Sequence, residues 1–421
     1  MKRTHGPVTQ KGLAAWCLYD WANSAYPTVI TTFVFAAYFT KSVAGDPITG
    51  TSLWGWAMSI SALIVALVGP LLGAVADHSG NRKPWLFFFT LIAALSAISL
   101  WFVKPEASYT ICALILVGVG TFAFELGMIF YNAMLPGLSP PEKIGRWSGW
   151  GWGFGYAGGL CCLAITLIAF VQPETPWFGL DKEMAEHLRA TGPMVGVWML
   201  IFAVPLFIFT PDQPGQLGLM DSARLGFKTL IGTFKQRTKH VNIFRFLIAR
   251  MIYTDGLNTL FAFGGIYAVG SFGFSFKDLI IFGIGINITA GLGAACFAWV
   301  DDWLGPKQTI LISITALIFL TSALLIIESI TLFWFFGLGL GIFIGPAQSA
   351  SRSFMAKLAP PKMRAGMFGM FALSGKATAF LGPAILALLT DMFTSQRAGM
   401  TVIVIFFIVG AVLLLRVDDA H

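Results

Sequence analysis

Charge is scarce in this chain. Only 11% of its 421 residues are Asp, Glu, Lys or Arg, against 57% hydrophobic. Ordinary soluble domains carry about 25% charged residues, so a soluble enzyme is excluded as the starting expectation. Cysteine is also sparse. Cys17, Cys112, Cys161, Cys162 and Cys296 all fall inside apolar stretches and form no C-x-x-C or Cys/His group. They read as small packing residues, neither disulfide partners nor metal ligands. Histidine is confined to positions 5, 78, 187, 240 and 421, all at loops or chain ends. An intramembrane hydrolase would be expected to show a Ser/His, paired-Asp or metal cluster, and these histidine positions argue against one. No ATP-binding motif occurs, so any work done must draw on a gradient. No cofactor or metal is expected.

What fills the chain instead is long apolar runs. Twelve segments stand out, at about 13–41, 52–76, 84–103, 108–136, 145–171, 193–210, 243–270, 277–300, 307–327, 331–356, 365–391 and 397–416. Each is long enough to cross a hydrocarbon core as a helix. Lipid cannot satisfy open backbone groups, and a β-barrel would show short alternating strands instead. The polar, basic first dozen residues precede a run too long for a signal-peptide core, so that run is expected to remain as the first span. The net charge of +7 comes from residues set between apolar runs. That marks membrane topology and not nucleic-acid binding. With the N-terminus placed in the cytoplasm, the inside segments hold 19 Lys and Arg and the outside loops 6. Both termini are then cytoplasmic. The inside group includes Arg352 at the end of the tenth segment. The connection from about 212 to 242 is basic and amphipathic, and predicts a helix lying on the cytoplasmic membrane surface. It divides the chain into 1–211, a linker 212–242, and 243–421. The outside stretch 181–190 predicts a short solvated helix with His187 at the surface.

The two halves repeat each other. Asp20 and Asn23, in Tyr19-Asp20-Trp21-Ala22-Asn23, match Asp255 and Asn258 at an offset of 235. Asp77, Gly80 and Arg82 match Asp302, Gly305 and Lys307 at 225, and Pro140-Pro141 matches Pro360-Pro361 at 220. The last register sets Tyr156 opposite Lys376. Gly73-Ala-Val-Ala-Asp77-His-Ser-Gly80-Asn-Arg82-Lys83 closely resembles the loop motif between helices two and three of the major facilitator superfamily, and Asp302-Trp-Leu-Gly305 is its degraded copy. Tyr19 to Tyr26, Tyr253-Thr-Asp255-Gly256 and Ala372-Leu-Ser-Gly375-Lys376-Ala377 are similar to signatures of the vacuole-effluxer (autophagy-related amino-acid effluxer) branch, in a bacterial member.

The resemblance spans essentially the whole chain. It implies an all-α membrane protein with twelve helices in two pseudo-symmetric six-helix bundles, working by alternating access. Helices one, four, seven and ten would line a central cavity, and two, five, eight and eleven the interface. By the same resemblance, Gly73, Asp77, Gly80, Arg82 and Lys83, with Asp302 and Gly305, would latch the bundles, with Arg82 or Lys83 facing a helix-end carbonyl or a carboxylate. A monomer in the bacterial inner membrane is implied.

Asp20, Glu125, Arg250, Asp255 and Lys376 are the ionisable residues placed inside the spans. Such residues are costly in lipid and are usually retained for work. At 1.5 Å per residue, Glu125, Asp255 and Lys376 fall near the midplane. The competing role is that these charges pair with one another and lock helices together, with Arg250 against Asp20 or Asp255 as the candidate structural pair. Lys376 would hold either a substrate carboxylate or that of Glu125 until a proton displaces it. Asn23 and Asn258 are candidate substrate ligands, ahead of Asn132 and Asn287. Tyr19, Trp21, Tyr253 and Tyr156 are candidate pocket walls, with core packing the competing role for the aromatics. The expected activity is secondary transport of a small organic solute, an amino acid or similar zwitterion, outward and proton-coupled, with sodium as the other candidate ion. A larger amphipathic substrate such as a lipid or cell-wall fragment, and a sensor without turnover, remain the competing readings.

Overall fold

The computed structural model describes residues 10–212, 217–235 and 240–419. Lys2, Arg3, His5, Arg237, Lys239 and His421 lie outside these, as do the outer ends of the two half-chain divisions and parts of the linker.

Among the described residues, nine helical stretches are long and apolar enough to cross a membrane. They include α2 (Pro47–Ser79), α3 (Lys83–Ser99), α4 (Thr110–Leu138), α5 (Ile144–Thr166) and α6 (Thr191–Phe209) in the first half. The second half supplies α9 (Phe276–Leu304), α10 (Pro306–Ile326), α11 (Ile330–Leu358) and α14 (Gln396–Leu415). The other three spans of a twelve-helix arrangement are interrupted or punctuated by polar groups. The first is α1 (Gln10–Asn23), continued by π-helical turns at Tyr26–Phe33 and Phe39–Val43. The seventh is α8 (Val241–Phe272), which carries Arg250 and Asp255. The eleventh is split into α12 (Arg364–Ser374) and α13 (Leu381–Phe393). Pro27 has no N–H to give the helix, and the first span widens at that point.

Helix ends are set locally. Asp46 accepts from the Ile48 and Thr49 amides at 3.0 and 2.9 Å at the start of α2. Ser275 and Asp278 form a reciprocal capping box at the start of α9. At the other end of these helices Gly80 and Gly305 adopt φ of 84° and 90°, a left-handed turn that glycine accepts without strain. This is the role the structure gives both residues.

Within the first half α1 packs on α5 and α6, and α4 on α3 and α2. Within the second, α8 and α10 pack on α14, and α11 on α9 and α10. The halves meet through α2 against α12 and through α5 against α9 and α11. Large apolar side chains such as Leu67, Ile111, Trp303 and Phe319 point outward, as a lipid-facing surface requires. All five cysteines are free. The start of α8 lies beside the end of the described chain, since Asn242 Nδ2 donates to the Asp418 carbonyl at 2.9 Å. We call this end the termini end.

The linker helix α7 (Leu219–Lys235) forms as expected of its amphipathic pattern. It lies against α2, with His78 Nε2 and Thr229 Oγ1 2.8 Å apart. Phe227 and Ile231 stay exposed. The stretch 181–190 differs from its expectation. Only Glu186–Arg189 is helical, and Arg189 is buried, donating from Nε to the Trp101 carbonyl at 2.7 Å. The positive charge anchors the loop instead of solvating it.

Candidate functional site

Two carboxylates close the termini end. Asp77, in the last turn of α2, accepts from the Ala365 and Gly366 amides at 2.9 and 2.8 Å. These are the first amides of α12, on the other half. Asp302, in the last turn of α9, accepts from the Arg146 amide at 2.9 Å at the start of α5, and its carboxylate lies 3.2 Å from Arg146 Nε. Each acid therefore sits where a helix presents unpaired N–H groups and a positive dipole end. Gly73 allows the first contact. A Cβ there would lie 2.2 Å from the Ala365 carbonyl oxygen. The basic residues of the motif do not cross between halves. Arg82 bonds Asp77 at 3.1 Å and the Ala133 carbonyl at 2.9 Å. Lys83 Nζ donates to the Thr210 carbonyl at 2.6 Å. They brace Asp77 and the chain around it within the first half, which corrects the expectation that Lys83 is an interbundle latch.

Above the latches lies a buried layer that the sequence did not disclose. Arg352, counted there as a cytoplasmic topology charge, is 2% exposed. Its Nη1 donates to Asp20 Oδ2 at 2.9 Å, and Tyr131 donates to the same oxygen at 2.9 Å. Nε reaches Ser148 Oγ at 2.9 Å and Nη2 the Ser148 carbonyl at 2.6 Å. The guanidinium carbon is 4.8 Å from the centre of the Trp16 ring and 5.6 Å from that of Trp152. Asp20 is thus in a structural ion pair, but with Arg352 and not with Arg250. Arg352 also reaches Asn132 Oδ1 at 3.4 Å, a residue 220 positions away. That is the offset of the proline repeat, so the two occupy equivalent places in the two halves.

Arg250 has a different partner. Its Nη1 donates to the Phe371 carbonyl at 2.6 Å and to Ser374 Oγ at 2.7 Å, with the guanidinium carbon 3.5 Å from the centre of the Phe371 ring. It caps the carbonyl end of α12, where a cation is favoured. Asn258 Nδ2 donates to the Gly375 carbonyl at 3.3 Å. Together they hold the break in the eleventh span, and Lys376 projects from that break. Its Nζ lies 2.9 Å from Glu125 Oε1, and about a quarter of each side chain remains accessible. At the equivalent place in the repeat, Tyr156 donates to Gln348 at 2.8 Å. One seam is thus closed by a neutral bond, the other by an ion pair.

A cavity of about 490 Å³ occupies the halves of the helices remote from the termini end. Ser24, Thr28, Thr32, Phe33 and Tyr156 line it from the first half, and Phe261, Phe282, Asn287, Thr321 and Leu340 from the second. Trp152 forms part of its wall and separates it from Arg352. No ionisable acid or base other than tyrosine is among its lining residues.

Several expected wall residues are elsewhere. Tyr19 is buried against Tyr131 and shares a 2.6 Å hydrogen bond with Thr90. Trp21 stacks on Trp198 at 5.8 Å. Tyr253 bonds Ser351 at 2.7 Å. All three are packing residues, because their rings complete contacts between neighbouring helices of one half. Asn23 donates to Met128 Sδ at 2.9 Å. Asn287, ranked below it, lines the cavity instead. Asp255 is buried beside Thr259 on α8.

A latched end, a layer of buried charge and a cavity between two repeated bundles form the frame of an alternating-access carrier. The family profile described as "Vacuole effluxer Atg22 like" matches residues 40–421. The chain belongs to this family. It is a multi-pass membrane transporter of the major facilitator superfamily, in the Atg22-like branch, and not an enzyme. An uncharacterized MFS-type transporter of Bacillus subtilis, YxiO, is 25% identical over 410 residues, covering 96% of this chain and 94% of that one. Autophagy-related protein 22 of Coccidioides immitis is 21% identical, covering 98% and 87%. Among solved structures, the human organic anion transporter MFSD10 superposes with a TM-score of 0.74 at 14% identity, covering 97% of this chain and 100% of that one. A bacterial homologue of the iron transporter ferroportin in its outward-facing state gives 0.70 at 13% identity, covering 98% and 99%. These likenesses confirm the major facilitator fold that the loop motif implied.

Proposed function

We propose that this Atg22-like chain is a secondary active transporter that exports a small organic solute, an amino acid or similar zwitterion, by alternating access and in exchange for protons. The observation that carries this reading is the pair of carboxylate latches at the termini end opposite a cavity between the halves. With both termini in the cytoplasm of a bacterial inner membrane, this arrangement is an outward-facing state. The word "effluxer" in the family description supports export. The Glu125–Lys376 pair is the coupling element. It joins the halves, remains partly accessible, and opens when a proton neutralises the acid. The transporter works as a monomer.

A second reading rests on the cavity wall. Its aromatic and aliphatic lining with scattered hydroxyl and amide groups also suits a larger amphipathic solute such as a lipid or cell-wall fragment. Counterflow into proteoliposomes, across a panel of amino acids and amphipathic metabolites at two pH values, separates the two. Acceleration by zwitterions alone supports the first reading. Exchange of amphipathic solutes only would replace it with the second, and no exchange of any solute would argue against transport.

A further inference from the structure

Asp20 and Asp255 are equivalents in the repeat, yet their surroundings differ. Asp20 has Arg352 and Tyr131. Asp255 is 1% exposed, and neither of its carboxylate oxygens has a hydrogen-bond partner. One turn further along α8, Thr259 is fully buried and its hydroxyl oxygen is also unpartnered. Across from them, in the break of the eleventh span, the half-buried Thr378 hydroxyl faces the carboxylate of Asp255 and is placed to donate to it. A buried carboxylate on α8 and two hydroxyls, one a turn along the same helix and one from the break, thus lie together with no ion-pair partner for Asp255 among the described residues. A buried carboxylate in this state is expensive unless something cationic joins it. Arg250, on the same helix, is committed to the carbonyl end of α12. The second helix shows that the space is shaped for these groups. A Cβ at Gly382 would lie 1.8 Å from Thr259 Oγ1.

We infer that Asp255, Thr259 and Thr378 form a binding site for a small alkali cation of the sodium class, built where the eleventh span is unwound. One carboxylate with two hydroxyls is a hard, oxygen-only ligand set. It neutralises a single positive charge and lacks the several carboxylates that calcium sites use. Membrane carriers place such ions against interrupted helices for the same reason, since only there is backbone free of its own helical bonds. A proton would neutralise the carboxylate at one oxygen, whereas a coordinated cation can be shared by the carboxylate and both hydroxyl oxygens. Occupation would tie α8 to the break, next to the residues that position Lys376. The cation then bears on the coupling pair from behind.

The test is direct binding of radioactive sodium ion to the purified full-length protein in detergent, with choline replacing sodium at constant ionic strength. It does not depend on knowing the solute, so its failure and a failure of the transport reading are separate results. The expected result is saturable binding, weakened about tenfold or more by Asp255→Asn and by Thr259→Val. Gly382→Ala, which crowds the Thr259 hydroxyl, should weaken it as well. If Asp255→Asn does not fold, the near-isosteric Thr259→Val and Thr378→Val decide. Absence of saturable binding by folded wild-type protein overturns the site. So does binding left unchanged by the threonine variants, or a thermal stability that answers to pH and not to sodium.

Discussion

Arg352 and Asp20 are 332 residues apart in the chain and 2.9 Å apart in the protein. They belong to different halves, and both are buried. The bond therefore fastens the two bundles through the middle of the molecule, between the termini-end latches and the cavity floor. Removing one partner of such a pair strands a buried charge and costs about 3–5 kcal/mol, whereas removing both costs much less. Asp20→Asn and Arg352→Gln should each lower the thermal midpoint in detergent markedly. The double variant should recover part of that loss. Strict additivity of the two would show that the pair is not coupled.

The latches predict a shift in conformational population. Asp77 and Asp302 each accept amide donors at a helix start, and a charge-assisted bond of this type contributes about 1.5–3 kcal/mol. Asp77→Ala should therefore move the equilibrium towards the inward-facing state by tenfold or more. Asp302→Ala should move it the same way. A single cysteine introduced at Thr32 in the cavity wall reports this as slower labelling from outside. Unchanged labelling in both variants would argue against a latch. Gly73→Val should resemble Asp77→Ala, because its side chain would meet the Ala365 carbonyl.

Glu125→Gln separates coupling from carriage. The glutamine keeps the shape and can still meet Lys376, but it neither ionises nor carries a proton. Solute counterflow should persist, while uptake or efflux driven by a pH gradient should be abolished. Full pH-driven transport by this variant in proteoliposomes would remove Glu125 from the coupling role.

Gly264 lines the cavity, and a Cβ there would meet nothing within 4 Å. Gly264→Trp therefore projects a large ring into the cavity from a position whose Cβ meets no neighbour. Counterflow should fall at least tenfold, with the thermal midpoint within a few degrees of wild type. Wild-type counterflow would place the solute elsewhere.

Much of this architecture is legible in the chain because each feature is local. A run of twenty apolar residues can be satisfied in lipid only as a helix. A glycine after Asp77 or Asp302 and a proline repeat at equivalent distances mark helix ends whatever packs on them. The Glu125–Lys376 contact was one of two roles open to that lysine, suggested by two opposite charges at the same depth. The partner of Asp20 was not legible. Arg352 stands near the end of the 331–356 segment, where a basic residue reads as topology, and nothing along the chain indicates that a carboxylate of the other half meets it. The aromatic residues beside Asp20 misled for a related reason. Tyr and Trp serve equally as wall or as packing, and only the neighbouring helix decides between them.

The sequence by itself thus determined the membrane class and the duplication, since hydropathy and repeat spacing depend on the chain alone. The tertiary structure decided which charges meet. It gave Asp20 an arginine from the other half, turned Arg250 to the end of α12 and left Asp255 among hydroxyls. The physical reason is that an ion pair is chosen by distance and desolvation across helices far apart in sequence, and neither quantity is written in the spacing of residues along one helix.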